Sequence, residues 1–306
     1  NEPLISPGVA ENLRTVLAEK YLSPGLWVDR FEERWQEACG VEHAVVVASG
    51  TAALLVALRA ANVGVGDEVI VPALTCPDTL NAVSFAGARP VIVDVERSRY
   101  GLDPQQMADA ITPSTKAVIP VHLYGCVVDP EVFTIAQDVG LLVIEDAAEA
   151  HGAELDGRLA GALGDLGCFS FRGDKMLGVG TGGAITTNNV EFAERARYLR
   201  GLGSPGGFDR YASTELGYSC QLSNVHAAIG LAQIDVLEET ITAKQRIAAW
   251  YDELLCDALC DRPPMVPGHV WWKYSPLLKN VDTRAVHYGL LEDGIETMPP
   301  FTPMYR

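Results

Sequence analysis

Glu145 and Asp146 close a short apolar run at 141–144, and Lys175 stands a few residues beyond another at 167–171. Each run is short enough to be a buried strand. Gly178, Gly180, Gly182 and Gly183 then permit tight backbone turns before a third strand-like run at 184–187. A carboxylate at one strand end and a lysine just past another can meet at a common sheet edge, where α/β proteins bind their ligands. One chemistry demands that pair. Pyridoxal phosphate catalysis needs a lysine that condenses with the cofactor aldehyde and an acid that pairs with its pyridinium nitrogen. The plainer alternative is a surface lysine with a strand-end Asp that caps the next helix, and on residue types alone it is the better supported.

The elements that must position these groups read as alternating strands and helices. A short helix follows Ser6-Pro7, Ser23-Pro24-Gly25 breaks the chain, and a helix at 28–39 carries Phe31 and Trp35 at helical spacing, as core or subunit-interface residues. Strands are expected at 45–48, 68–71, 90–94 and 117–121, with helices opening at Ser49 and spanning 77–86, 103–111 and 129–139. Asp103-Pro104 and Asp129-Pro130 each supply an N-cap Asp with proline in the first helical position. Together with 141–144, 167–171 and 184–187 this makes a seven-stranded, mostly parallel sheet sandwiched by helices. The strand-to-helix turn at Ser49 is an anion site by geometry, because the first helical N–H groups are unpaired. Residues 222–259 read as one or two long helices. A strand at 270–278 and a helix at 286–296 then start a small C-terminal α+β domain that the chain does not complete. The domain expectation is therefore an N-terminal segment (1–24), a large domain (25–240) and a small domain (241–306).

Composition excludes several classes. Of 306 residues 48% are hydrophobic, enough for a large core, and no run has the length of a membrane span or a secretory leader, so a cytoplasmic location is expected. Forty Asp and Glu against 23 Lys and Arg give a formal net charge of −17, which works against binding a phosphate backbone. The seven cysteines are scattered without a CxxC pair, so reduced thiols are expected and no metal. A dinucleotide fold is also excluded, because the glycines from Gly178 to Gly183 precede a strand rather than opening a helix.

Several stretches now occur in one order: residues 49–54 (SGTAAL), 66–72 (GDEVIVP), 90–94 (PVIVD), 121–125 (VHLYG), 145–152 (EDAAEAHG), then Phe169-Ser170-Phe171 with Lys175 and Gly182-Gly183. As a set they resemble the DegT/StrS-type sugar aminotransferases, a pyridoxal phosphate family of fold type I, from about Leu26 to the end. The resemblance reverses the preference for the plainer alternative. It implies that Lys175 condenses with the cofactor and shuttles a proton, and that Asp146 partners the pyridine nitrogen. It places Gly50, Thr51, Ala52 and Ser170 at the cofactor phosphate and Glu149 near the ring hydroxyl. Cys76 stands where family members often stack an aromatic ring. Ser219 stands where relatives have an asparagine that reaches the phosphate across a dimer interface. His151 is more readily a packed histidine than a functional one.

The resemblance further implies a homodimer, L-glutamate as amino donor and a keto sugar, nucleotide-linked, as acceptor, in amino-sugar biosynthesis. An aminocyclitol-type acceptor and a non-catalytic relative that binds the cofactor are the alternatives. Dehydratase relatives replace the lysine with histidine, so Lys175 argues against that reaction. Trp271, Trp272, Lys273 and Tyr274 either touch substrate or form an apolar strand packed on the large domain.

Overall fold

The computed structural model describes residues 4–209 and 211–304. Strands β1 (His43–Val47), β2 (Glu68–Pro72), β3 (Arg89–Val93), β4 (Thr115–Val118) and β5 (Leu142–Asp146) come first, and the short strands β6 (Glu154–Leu155) and β7 (Arg158–Leu159) form a hairpin. Strands β8 (Leu166–Ser170) and β9 (Gly183–Thr187) complete a seven-stranded sheet of order β1-β9-β8-β5-β4-β2-β3. Only β9 runs against its neighbours. All seven strands expected from the sequence are present. β4 sits two or three residues earlier than expected, because Pro120 has no N–H to donate to a ladder.

Both faces of the sheet are covered, which is why its strands read as continuous apolar runs. On one face Ala44, Val46, Phe169 and Ala184 pack with α2 (Leu26–Cys39) and α8 (Asn224–Ile234). Phe31 and Trp35 are core residues there, and Trp35 meets Phe169 and Phe171 edge-on at 5.0 and 5.1 Å. On the other face Val45, Val47, Val69, Val71 and Ile185 pack with α3 (Gly50–Ala60), α4 (Pro77–Ala86) and α7 (Val190–Arg200). A third cluster joins Ile70, Val118 and Val143 to α5 (Pro104–Asp109) and α6 (Glu131–Val139). The Asp103 side chain caps α5 as expected; α6 starts at Glu131, whose N–H bonds to Asp129 Oδ1 at 2.9 Å. The helix α1 (Gly8–Ala18) lies on α8, where Ser6 N–H donates to Gln233 Oε1 at 2.7 Å.

Residues 222–259 form two helices, α8 and α9 (Leu237–Leu254). The strand expected at 270–278 is mostly absent. Only Leu277–Leu278 is extended (β11), paired with Cys260–Asp261 (β10), while Val270 and Trp272 are buried in the large core. Tertiary anchoring decides this: Val270 N–H bonds to Gly125 O at 3.1 Å, and Trp271 is held at φ +57°, which no strand accommodates. The last helix, α10 (Thr283–Glu292), begins and ends earlier than expected, set by the Asp282 cap and by Gly294 at φ +79°.

The free edge of β1 is closed by an ion pair instead of another strand. Glu32 on α2 accepts from Val46 N–H at 2.9 Å, and the Arg200 guanidinium on α7 bonds both Glu32 and the Val46 carbonyl. Both side chains are buried. Replacing one partner strands a buried charge, so Glu32→Ala should lower the unfolding free energy by about 3–5 kcal/mol, measured by urea denaturation. A loss below about 1 kcal/mol would show that the pair is dispensable.

Candidate active site

The sheet register brings distant stretches to one edge. Val47 faces Gly183, Gly183 faces Ser170, and Asp146 faces Cys168 in adjoining pairs. Ser49 follows β1 at this edge, and its hydroxyl accepts from Ala52 N–H at 3.1 Å to cap α3. A Cβ on Gly50 would lie 2.8 Å from Ser170 Cβ, so only glycine lets the first turn of α3 come this close to β8. Helix-start N–H groups and the Ser170 hydroxyl thus converge where an anionic group fits.

Asp146 is buried at the end of β5. Its Oδ2 accepts from Thr79 Oγ1 at 2.8 Å, its Oδ1 from Ala148 N–H at 3.2 Å, and Thr75 braces Thr79 at 2.8 Å. Burial raises the Asp146 carboxyl above its ordinary range, and the Thr79 and Ala148 hydrogen bonds and the charge of Lys175 only partly offset this. Lys175 lies in the loop between β8 and β9. Its nearest carboxylate is not Asp146 but Glu149: Nζ stands 3.4 Å from Glu149 Oε1, with both side chains buried. The other Glu149 oxygen accepts from Tyr124 N–H at 2.8 Å. Burial raises Glu149 as well, against the charge of Lys175. Trp272 covers the lysine, its ring centroid 4.0 Å from Nζ and its indole N–H bonded to Asp174 O at 2.7 Å.

Cys76 precedes the first residue of α4 and its Sγ approaches Asp78 Oδ2 at 3.4 Å. Burial pushes the thiol up from its ordinary value, which keeps it a neutral, polarisable surface rather than a nucleophile. Thr51 and Ala52 are half-buried in the first turn of α3. Ser219 is exposed and bridges to Gly201. His151 is fully buried among Trp35, Phe169 and Phe171, with ring centroids 5.4 to 5.9 Å away. No hydrogen bond of ordinary geometry reaches either of its nitrogens among the described residues.

The groups not singled out from the sequence are those that hold the others. Thr75 stands two residues before α4 and Thr79 within it, so no helical periodicity in the sequence announces their contact. Glu145 and His122 are fully buried and 2.9 Å apart; Glu145 also accepts from Gly161, Leu163 and Gly164 N–H at 2.7 to 2.8 Å. Val128 N–H approaches His122 Nδ1 at 3.4 Å, which makes Nε2 the donor to Glu145.

The pyridoxal phosphate implied by the sequence fits these residues. The Gly50–Ser170 approach forms an anion cradle, Asp146 is a buried carboxylate short of a cation, and Lys175 stands at the same edge.

Two histidines make stability sensitive to acid. Burial, with the charge of Lys175 adding and the Ser170 backbone opposing, pushes His151 to about 3; burial pushes His269 to about 4 against its contact with the Tyr124 carbonyl. In the unfolded chain both titrate near 6.5. The share of stability owed to these two neutral histidines is therefore full above about pH 6.5 and falls as pH drops below it, by up to about 1.4 kcal/mol per pH unit for each. His151→Phe should make that decline shallower by one proton's share, read from urea midpoints against pH. An unaltered slope would rule out a neutral buried His151.

Known proteins resemble this chain over most of its length. The model of the DegT/DnrJ/EryC1/StrS aminotransferase family matches residues 5–306. GDP-perosamine synthase of Caulobacter vibrioides is 40% identical over 294 residues, covering 92% of this chain and 78% of that protein. L-glutamine:2-deoxy-scyllo-inosose aminotransferase of Streptoalloteichus tenebrarius is 40% identical over 238 residues, covering 74% and 56%. Among solved structures, DesV of S. venezuelae superposes with a TM-score of 0.90 at 34% identity, covering 97% of this chain and 82% of that one.

Proposed function

Because the chain belongs to the DegT/DnrJ/EryC1/StrS aminotransferase family, we propose that it moves an amino group from L-glutamate to a keto sugar carried on a nucleotide, with pyridoxal phosphate held at the β5, β8 and α3 edge. What supports this reading is one sheet edge that carries buried Asp146, Lys175 paired with Glu149, and the first turn of α3 against Ser170. When bound, the cofactor supplies an aldehyde for the lysine and a pyridinium ring that accepts electrons. The protein's residues do the rest. Gly50, Thr51, Ala52 and Ser170 would hold the phosphate, Asp146 would keep the ring nitrogen protonated, Glu149 would stand by the ring hydroxyl, and Cys76 would pack against the ring. Lys175, freed of its proton, carries a proton to and from the donor's α-carbon. Trp272 and the buried walls keep water away from that transfer.

An acceptor ketone on a cyclitol ring is the second reading, favoured by the 40% identity to a relative named for that activity. A homodimer, in which Ser219 stands near the partner's cofactor phosphate, and a cytoplasmic location belong to the same proposal. So does the division at residue 240, although α9 runs across it before the β10–β11 ladder and α10. No helix among the described residues is long and apolar enough to cross a membrane.

Purified protein mixed with pyridoxal phosphate should turn yellow, and the band should bleach on adding L-glutamate with release of 2-oxoglutarate. In Lys175→Ala the band should be absent and the half-reaction slower by about 10²- to 10⁴-fold. An intact chain that never acquires the band refutes the reading.

A further inference from the structure

Trp272 carries two ammonium groups on one indole. Lys175 Nζ lies 4.0 Å from its ring centroid and Lys273 Nζ 4.9 Å from the same point. The two lysines differ in one respect. Lys175 has Glu149 at 3.4 Å, whereas Lys273, half-buried, makes no hydrogen bond and no ion pair among the described residues. Of the three carboxylates whose charge acts on it, Asp174 is held by the Arg172 guanidinium at 2.6 and 2.8 Å and Glu149 by Lys175 and Tyr124 N–H, while Glu296 acts least and makes no ion pair with it.

Lys273 is also fixed in place. Val270 N–H is bonded to Gly125 O and the Trp272 indole to Asp174 O, and Trp271 stacks on His269 at 3.7 Å. The strap from Val270 to Trp272 therefore cannot swing out to give the ammonium a surface partner. A half-buried ammonium without a counterion is a cost that a bound oxyanion removes. In a chain of formal net charge −17, a cation beside the reacting lysine also offsets the general repulsion of anionic substrates.

We propose that Lys273 is the docking cation for a substrate oxyanion, the carboxylate of the amino donor or a phosphate of the acceptor, and so selects which substrates reach Lys175. This rests on the aminotransferase reading of the site. Burial pushes the Lys273 ammonium below the ordinary lysine value and Lys175 adds to this, while Asp174, Glu149 and Glu296 oppose it. Burial and the Lys273 charge together lower the Lys244 ammonium.

The test uses cofactor-loaded wild type, Lys273→Met and Lys273→Arg. The yellow band reports folding and loading; the measured quantities are KM for L-glutamate in the half-reaction and Kd for UDP, GDP and dTDP by titration. In Lys273→Met one of these constants should rise about 10- to 100-fold, with kcat falling less, and Lys273→Arg should restore it to within about fivefold. A rise in the glutamate KM assigns the carboxylate, and a rise in nucleoside diphosphate Kd assigns the phosphate. If neither constant moves in a variant that carries the band, the proposal is wrong. A wild type that binds a nucleoside diphosphate through Lys273 yet releases no 2-oxoglutarate from glutamate refutes the donor assignment and leaves the docking cation standing.

Discussion

Glu145 and His122 meet with no access to water, and the arrangement of the site depends on how that contact is satisfied. A carboxylate buried this deeply survives only if its oxygens are fully hydrogen-bonded. The four donors to Glu145 come from two places, the imidazole that follows β4 and the backbone of the loop before β8. Satisfying one side chain thus locks three neighbouring segments. Asp146, the next residue, is turned toward α4 and its threonine. His122 in turn fixes the Leu123–Gly125 turn, which presents the Tyr124 N–H to Glu149, and Glu149 receives Lys175.

Charge in this site is arranged by neighbours more than by exposure. Asp146 and Glu149 are both buried acids, but they have different company: Asp146 is braced by hydroxyl and backbone donors, and Glu149 faces a cation. The two carboxylates suit different work, one to hold a fixed positive partner and one to stand beside a group that gains and loses a proton. The indole of Trp272 closes the pocket over the lysine while offering its π face to positive charge.

The sheet was legible in the sequence because a parallel strand covered on both faces must be apolar throughout, and runs such as Val45 to Val47 or Val69 to Val71 have no other economical reading. Lys175 and Asp146 were legible because strand ends collect at one edge. That Lys175 touches Glu149 rather than Asp146 was not, since the choice depends on the positive φ of Tyr124 and the path of the loop after β8. The run from Val270 was misread for a related reason. Its valine and aromatic residues have strand propensity, but contacts with Gly125 and Asp174, far away in the chain, set its backbone. Thr79 was overlooked because its role becomes visible only once α4 is seen to start beside β5.

β1 and β9 are neighbours in the sheet but far apart in the chain, and that separation bears on how the protein comes to be made. The cap at Ser49 and the glycine at 50 emerge early in synthesis, yet β1 has no strand to pair with until Gly183–Thr187 has been polymerised. Closing so long a loop carries an entropic cost that local contacts cannot repay beforehand. The cradle at the start of α3 is therefore among the last parts of the sheet edge to be assembled. Until then the apolar faces of β1 and α3 must be shielded from other nascent chains, and the ribosome and its chaperones are what the early half of this sequence meets first.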